Sequence, residues 1–170
     1  MLIYAVLIVL LVGVDQLTKY LAAVYLAPVG TASFLPGIME LRYVENDGMA
    51  FSMLSGRQTL LIVVTSITIG ALVWYLFFKK PPMRAERVAL CLIIAGGLGN
   101  LIDRVAAGRV IDFFATTFIN FAVFNVADIC ITVGAVWLAV YVLFGYEKLE
   151  KKSKKEAPSH DGTDLSSDDT

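Results

Sequence analysis

Hydrophobic residues along the chain are gathered into four long runs that polar loops separate. The runs cover residues 2–26, 58–78, 88–102 and 121–144. A helix needs about 20 apolar residues to cross a membrane, and the third run reaches that length only with residues on either side. The pattern predicts four transmembrane helices.

The first run differs from a cleaved signal peptide. No basic segment precedes it, and Asp15 and Lys19 interrupt its apolar part. It is also longer than the apolar region of such peptides, which is about 7–15 residues. We therefore expect the first run to be retained as a transmembrane helix.

The loop between the first two runs contains a short segment that is typical of a β-strand. Pro28, Pro36 and Gly37 are turn residues, and the stretch IMELRYVEN follows them at 38–46. Alternating apolar and polar residues bounded by turns favour a strand. The predicted fold class is an all-α membrane protein, with four transmembrane helices and a small extracytoplasmic β element.

Basic residues indicate which side of the membrane each loop occupies. Four lie between the second and third runs, at 79–87, and five follow the fourth run, at 148–155. Lys and Arg are enriched in cytoplasmic loops. We therefore expect both termini in the cytoplasm, with loops 27–57 and 103–120 on the outer side.

The chain divides into a membrane domain, residues 1–145, and a tail, residues 146–170. The tail is rich in Lys and then in Ser and Asp, so it has too few apolar residues to bury a core. Its basic half is compatible with contact to anionic lipids. We interpret the tail as a disordered, solvated cytoplasmic segment.

Composition agrees with a membrane protein and excludes several kinds of chemistry. Hydrophobic residues make up 58% of the chain and the mean hydropathy is +0.73. The only histidine, His160, lies in the tail, so His-based catalysis and His/Cys metal sites are not expected. Cys91 and Cys130 lie in apolar runs and are interpreted as buried small residues. We expect no cofactor.

Polar residues from several segments converge near the outer face on this topology, while the cytoplasmic halves of the runs hold almost none. Asp15 and Lys19 are spaced i,i+4 with the acid first, which favours a structural ion pair. Asp103 and Arg104 are interpreted in the same way. The remaining polar residues at this face are Asn46, Asn100, Asp112, Asn125 and Asp128.

Asp112 and Asp128 differ from the other acidic residues because neither has a basic partner along its own element. Asp112 is expected in the outer loop, with Arg109 nearby on a loop, and Asp128 near the start of the fourth run, sharing a helical face with Asn125. An intramembrane carboxylate without a partner is a functional candidate. Two carboxylates at a water-accessible site share a proton, and can act as general base and general acid in an aspartic protease.

Three other functions remain open at this point. Lys19 could act as a base toward Ser33, Ser52 or Ser55, although Asp15 would keep the lysine charged. Intramembrane carboxylates also serve proton-coupled transporters, but here they lie on one face, and the chain has no repeat. A non-catalytic scaffold would use the same residues only to hold helices together.

Five sequence blocks together resemble the lipoprotein signal peptidase, or signal peptidase II, family of bacteria. The resemblance covers about residues 1–144. The blocks, in order, are DQLTK at 15–19, NDGMAF at 46–51, GGLGNLIDR at 96–104, GRVIDFF at 108–114 and FNVAD at 124–128.

The resemblance implies an intramembrane aspartic endopeptidase of the bacterial cytoplasmic (inner) membrane. Such enzymes remove signal peptides from diacylglyceryl-modified prolipoproteins by cutting just before the lipid-modified cysteine. It implies that Asp112 and Asp128 form the catalytic pair. We expect the protein to be a monomer whose partners are diacylglyceryl-modified prolipoproteins and membrane lipids, and not nucleic acid. The implied supporting residues are Asp15, Lys19, Asn46, Asn100, Asp103, Arg104 and Asn125.

The chain departs from the family pattern at two positions. Ile129 follows the second aspartate, where members often have a small hydroxyl residue, and Met49 stands where a smaller residue is common. Both lie beside motif residues, so both bear on how the substrate fits.

Overall fold

The computed structural model describes residues 1–48 and 54–156, and for 144–156 only the backbone. Four helices and a three-stranded antiparallel sheet make up this part of the chain. The elements are α1 (Leu2–Leu21), β1 (Thr31–Leu35), β2 (Met39–Asn46), α2 (Gln58–Trp74), α3 (Arg84–Ala107), β3 (Val110–Thr116) and α4 (Val126–Glu156).

Each helix is long and apolar enough to cross a membrane. A single π-helical turn extends α1 and another extends α2. The resulting spans are Leu2–Leu26, Gln58–Lys79, Arg84–Ala107 and Val126–Leu143. The predicted fold class, with four transmembrane helices and a small sheet, is therefore confirmed, and the chain is a multi-pass membrane protein.

Helix α3 is the central helix and packs against the other three. In an apolar 18-residue stretch of each span, 56% of the residues of α3 are buried, compared with 17% in each of the other three helices. Those three helices therefore leave most of their surface for lipid. Glycines allow this close packing: a Cβ atom at Gly96 would lie 2.3 Å from the Ala127 carbonyl oxygen, and one at Gly99 would lie 2.4 Å from Asp15 Oδ2. Gly96 and Gly99 therefore let α4 and α1 approach α3 closely.

The sheet has the order β1-β2-β3, and its middle strand is the predicted strand-like segment. The expectation that Asp112 lies in a loop is wrong, because Asp112 lies on β3, opposite Val44 of β2. Gly108, with φ +71°, ends α3 and lets the chain turn into β3. The pairing with β2 is distant in sequence, so local patterning did not reveal it.

The fourth span begins at Val126 rather than at Phe121, which corrects the predicted boundary. Before it, Phe124 pairs with Phe114 of β3: the Phe114 N–H donates to the Phe124 carbonyl at 2.8 Å, and the reverse bond is 3.0 Å. These bonds hold the segment extended beside β3, so the apolar run changes from extended chain to helix within its length.

Helix α4 continues to Glu156, eleven residues past the predicted end of the membrane domain at 145. The sequence there, EKLEKKSKKE, is rich in residues with high helix propensity. The backbone of 146–156 therefore differs from the expected disordered tail. Residues 157–170 lie outside the described residues, so the prediction for them stays a prediction.

Candidate active site

A cavity of about 540 Å³ lies where β2 and β3 meet helices α2, α3 and α4. Its size is typical of sites for small molecules or peptide segments. Phe121, Ile129 and Val133 line it and are exposed, so it opens to the outside of the protein along α4. Its polar lining residues are Asn46, Thr65, Asn100, Arg104, Asp112, Asp128 and Thr132.

The sheet positions Asp112 in this cavity. The side chain is only 2% exposed. Because Val44 lies opposite Asp112, Asn46 is its diagonal neighbour on β2, close enough for side chains to meet. The Asn46 amide donates to Asp112 Oδ2 at 2.9 Å, and the Asn125 amide donates to Asp112 Oδ1 at 2.7 Å.

The first turn of α4 positions Asp128 through a reciprocal cap with Asn125. The Asp128 N–H donates to Asn125 Oδ1 at 2.9 Å, and the Asn125 N–H donates to Asp128 Oδ2 at 3.1 Å. This is the geometry of a capping box, in which Asn125 precedes the helix. The sequence correctly associated the two residues, but Asn125 caps the helix instead of sharing its face.

Asn100 on α3 holds the second oxygen of Asp128. Its amide nitrogen donates to Asp128 Oδ1 at 2.8 Å, while its own oxygen accepts from Lys19 at 2.8 Å and from Asn125 at 3.1 Å. The two aspartates are thus joined through Asn125 and Asn100, and each of their four carboxylate oxygens accepts an N–H donor.

Lys19 forms the predicted ion pair with Asp15, at 2.8 Å, and a second one with Asp103, also at 2.8 Å. The lysine is 2% exposed, and these carboxylates and Asn100 surround its ammonium group. Among the described serines, Ser55 donates to Asp47. No described serine contacts Lys19, and Ser52 lies outside the described residues.

Asp103 and Arg104 do not pair with each other, which corrects that interpretation. Neighbouring residues on a helix point in different directions. Asp103 therefore faces Lys19 on α1, while Arg104 faces the cavity and donates to the Gly48 carbonyl at 2.9 Å and the Asn100 carbonyl at 3.3 Å.

Gln16 is a supporting residue that the sequence reasoning missed. Its amide donates to Asp103 Oδ1 at 2.9 Å, to the Gly99 carbonyl at 3.2 Å and to Asp15 Oδ2 at 3.3 Å. The available signal was its polarity inside an apolar run, where a polar side chain needs a partner.

Burial raises the pKa of Asp112 to about 6, and the nearby charge of Asp128 acts in the same direction. The N–H bonds from Asn46 and Asn125 oppose this shift because they stabilise the ionised form. Arg109 has no part in this balance, since it pairs with Glu45 at 3.0 Å on an exposed surface. Asp112 therefore retains its proton to a higher pH than an ordinary aspartate.

The arrangement is suited to acid–base chemistry on a bound peptide. Two carboxyl groups line one cavity, their oxygens are fixed by N–H donors, and the cavity has an opening through which a chain could enter. The described residues contain no cluster of three or more His, Cys, Asp or Glu that could hold a metal ion.

Comparison with known proteins identifies relatives over most of the chain. A lipoprotein signal peptidase of Streptococcus pneumoniae is 44% identical over 142 residues, which are 83% of this chain and 92% of that protein. A lipoprotein signal peptidase of Streptococcus pyogenes serotype M5 is 41% identical over 133 residues, covering 78% of this chain and 88% of the relative.

Solved structures show the same fold. A bacterial membrane enzyme determined by the in meso method at 2.3 Å resolution superposes with a TM-score of 0.78 at 31% identity, covering 94% of both chains. A second such structure, at 1.9 Å, has a TM-score of 0.77 at 32% identity and covers 85% of this chain and 94% of the other. The family model for signal peptidase II matches residues 7–144, and the chain therefore belongs to this family of aspartic proteases.

Proposed function

We propose that the chain removes signal peptides from diacylglyceryl-modified prolipoproteins by cutting just before the lipid-modified cysteine, with Asp112 and Asp128 activating a water molecule. The observation that carries the proposal is that both carboxylates line one cavity and are joined by Asn125. The family membership supplies the substrate class, and the geometry supplies the reacting groups.

Asp128 acts as the general base and Asp112 as the general acid in this proposal. Burial favours the protonated form of Asp112 and the charge of Asp128 adds to that preference, so the single shared proton belongs on Asp112. Asp128 takes a proton from water, and the water oxygen bonds to the scissile carbonyl carbon. In the same step Asp112 transfers its proton to the carbonyl oxygen, which gives a tetrahedral intermediate.

The tetrahedral intermediate then breaks its C–N bond. Asp128 gives the proton that it took from water to the leaving nitrogen, and Asp112 recovers its proton from a hydroxyl of the intermediate as the new carboxyl group forms. The products are the signal peptide with a new carboxylate and the lipoprotein with a free α-amino group on its cysteine. Each step is a proton transfer of the kind that a positioned carboxyl pair accelerates by about 10²–10⁴-fold per group. Asn46, Asn100 and Asn125 keep both carboxyls oriented throughout.

The site is expected at the outer face of the membrane, where a secreted precursor held by its lipid would present its cleavage site. The basic segment 79–87 between α2 and α3 lies at the opposite ends of these helices from Gln58 and Arg104. Cytoplasmic placement of that segment would put the aspartates on the extracytoplasmic side, with both termini inside.

The test is cleavage of a synthetic diacylglyceryl-modified precursor by purified protein in detergent. Asp112→Asn and Asp128→Asn should each reduce release of the signal peptide by at least about 1,000-fold, because each removes a proton-transfer group. Both variants should still melt cooperatively.

The matched control is Asp47→Asn, which changes an exposed aspartate that bonds Ser55 and does not line the cavity. Its turnover should stay near that of the wild type. Full turnover by either Asp112→Asn or Asp128→Asn would exclude the proposed catalytic pair.

A further inference from the structure

Two threonines line the cavity outside the hydrogen-bonded network of Asn and Asp side chains. Thr65 is on α2, and Thr132 is on α4, one helical turn beyond Asp128. Neither hydroxyl has a hydrogen-bond partner in the part of the chain that the structure describes. With Arg104, they are the polar lining residues to which the proposed reaction gives no role.

Unpaired threonine hydroxyls are unusual within membrane helices, where they commonly bond to the carbonyl one turn back. Two other threonines of this chain do so: Thr68 donates to the Val64 carbonyl at 2.9 Å, and Thr18 donates to the Asp15 carbonyl at 2.8 Å. Thr65 and Thr132 differ from them in lining the cavity. Their hydroxyls are therefore available to a bound molecule.

The two threonines lie on helices that each pack against α3. The lining residues of α2 and α4, with Gly97 of α3 between them, form a groove that continues from the aspartates along the membrane spans. Ile129 and Val133 are exposed at its edge, inside the α4 span, so the groove opens toward lipid.

We infer that the hydroxyls of Thr65 and Thr132 accept hydrogen bonds from main-chain N–H groups of the signal peptide just before the scissile bond. The inference rests on the proposed function, and it adds a binding role for two residues outside the family blocks. A scissile amide cannot be attacked while it is folded in a helix, so this part of the signal peptide must unwind. Unwound backbone at membrane depth needs polar partners from the protein, and the two hydroxyls supply them.

Distance along the helix sets which substrate residues are involved. Thr132 follows Asp128 by four residues, or about 6 Å along the axis of α4. An extended peptide rises about 3.3 Å per residue. The Thr132 hydroxyl therefore lies level with about the second residue before the cut. In this inference both hydroxyls recognise backbone rather than side chain.

The experiment measures kcat/KM on the diacylglyceryl-modified precursor for Thr65→Val, Thr132→Val and the double variant. Valine keeps the shape of threonine and removes the hydroxyl. One neutral hydrogen bond corresponds to about a fivefold change, so each single variant should lose about fivefold and the double variant about 25-fold. Thr132→Ser, which keeps the hydroxyl, should recover most of the kcat/KM that Thr132→Val loses. The matched control is Thr68→Val, at an exposed threonine that does not line the cavity, and its kcat/KM should stay near that of the wild type.

A second arm separates backbone binding from a change in packing. A precursor with N-methylated backbone at the second or third residue before the cut should be a poorer substrate for the wild type. Thr65→Val or Thr132→Val should then lose less with that precursor than with the unmodified one, because the bond is already absent.

The outcomes are distinct. Wild-type kcat/KM in the double variant overturns the inference, because the two hydroxyls would then make no contact that the reaction needs. Equal losses for methylated and unmodified precursors would also overturn it, in favour of a packing role. If the wild type does not cut the precursor at all, the proposed function fails and this inference fails with it.

Discussion

Asn125 connects the two aspartates because its side chain carries both donors and an acceptor. Its amide nitrogen donates to Asp112 and to Asn100, and its oxygen accepts from the Asp128 N–H. An aspartate at this position would have only acceptors when ionised, and would repel Asp112. The network therefore requires an amide at this position.

Asn46 should set the pH range of the reaction through Asp112. Its N–H stabilises ionised Asp112, so Asn46→Ala removes an interaction that lowers the pKa of that carboxyl. In the proposed mechanism the active form has Asp112 protonated, so activity should be lost as pH rises through the pKa of Asp112, about 6 in the wild type. In Asn46→Ala, the alkaline limb of the pH profile, where kcat/KM falls as pH rises, should move to higher pH by about one unit.

The control for this pH profile is Glu45→Gln on the same strand, whose side chain is exposed and pairs with Arg109. Its alkaline limb should coincide with that of the wild type. A limb in Asn46→Ala that stays in place or moves to lower pH would contradict the assignment of the proton to Asp112.

Among the elements, α1 packs against α3 through apolar side chains, and Asp15 adds the polar link from α1 to both α3 and α4. Its Oδ2 pairs with Lys19, which in turn reaches Asp103 and Asn100 of α3, and its Oδ1 accepts the Ala127 N–H at the start of α4. Asp15 thus caps a helix other than its own. The first turn of α4, which carries Asp128, is held from α1.

Asp15→Asn should lower stability or substrate binding and leave the chemical step in place. The change leaves Lys19 with less compensating charge in a buried site, at a cost of about 3 kcal/mol, or about 6–12 °C in the melting temperature. The measurements are thermal melting in detergent and precursor binding. Glu40→Gln, which breaks the surface pair with Arg42, is the control and should change little.

An unchanged melting temperature in Asp15→Asn, together with unchanged binding of the precursor, would contradict this role. It would mean that Asp103 alone satisfies Lys19, and that the bond to Ala127 is dispensable for α4.

The sequence predicted the elements whose signal is local and missed those that depend on distant partners. Apolar runs and i,i+4 spacing identified four spans and the Asp15–Lys19 pair. The strand containing Asp112 forms through pairing with β2, which lies far away in the chain. The extended segment before Val126 in turn pairs with that strand, at Phe114. For the same reason, the sequence suggested the neighbouring Arg104 as the partner of Asp103. The partner in the structure is Lys19, which lies on another helix.

At the scale of the whole molecule, family membership decides for a protease over a transporter or a scaffold. The asymmetric distribution of charge is consistent with that result. The described network of Asp, Asn, Lys and Arg side chains gathers at one end of the helical bundle, beside the sheet. It forms a site and does not form a path from one side of the membrane to the other.

Cysteine labelling tests the orientation of the molecule. Ser33 on β1 and Pro82 between α2 and α3 are exposed, while the native Cys91 and Cys130 are buried and should stay unlabelled. In intact cells, a membrane-impermeant maleimide should label Ser33→Cys but should label Pro82→Cys only after the membrane is opened. The reverse pattern would place the aspartates on the cytoplasmic side.

The exposed cavity edge at Ile129 and Val133 lies within the α4 span, so anything that enters there comes from the lipid phase. The concentration that governs occupancy is then the number of molecules per unit of membrane, and not the number per litre of water. Adding empty micelles or vesicles dilutes a substrate or inhibitor even when its total amount is constant. Apparent KM and inhibitor potency should therefore be compared at a fixed ratio of ligand to detergent or lipid.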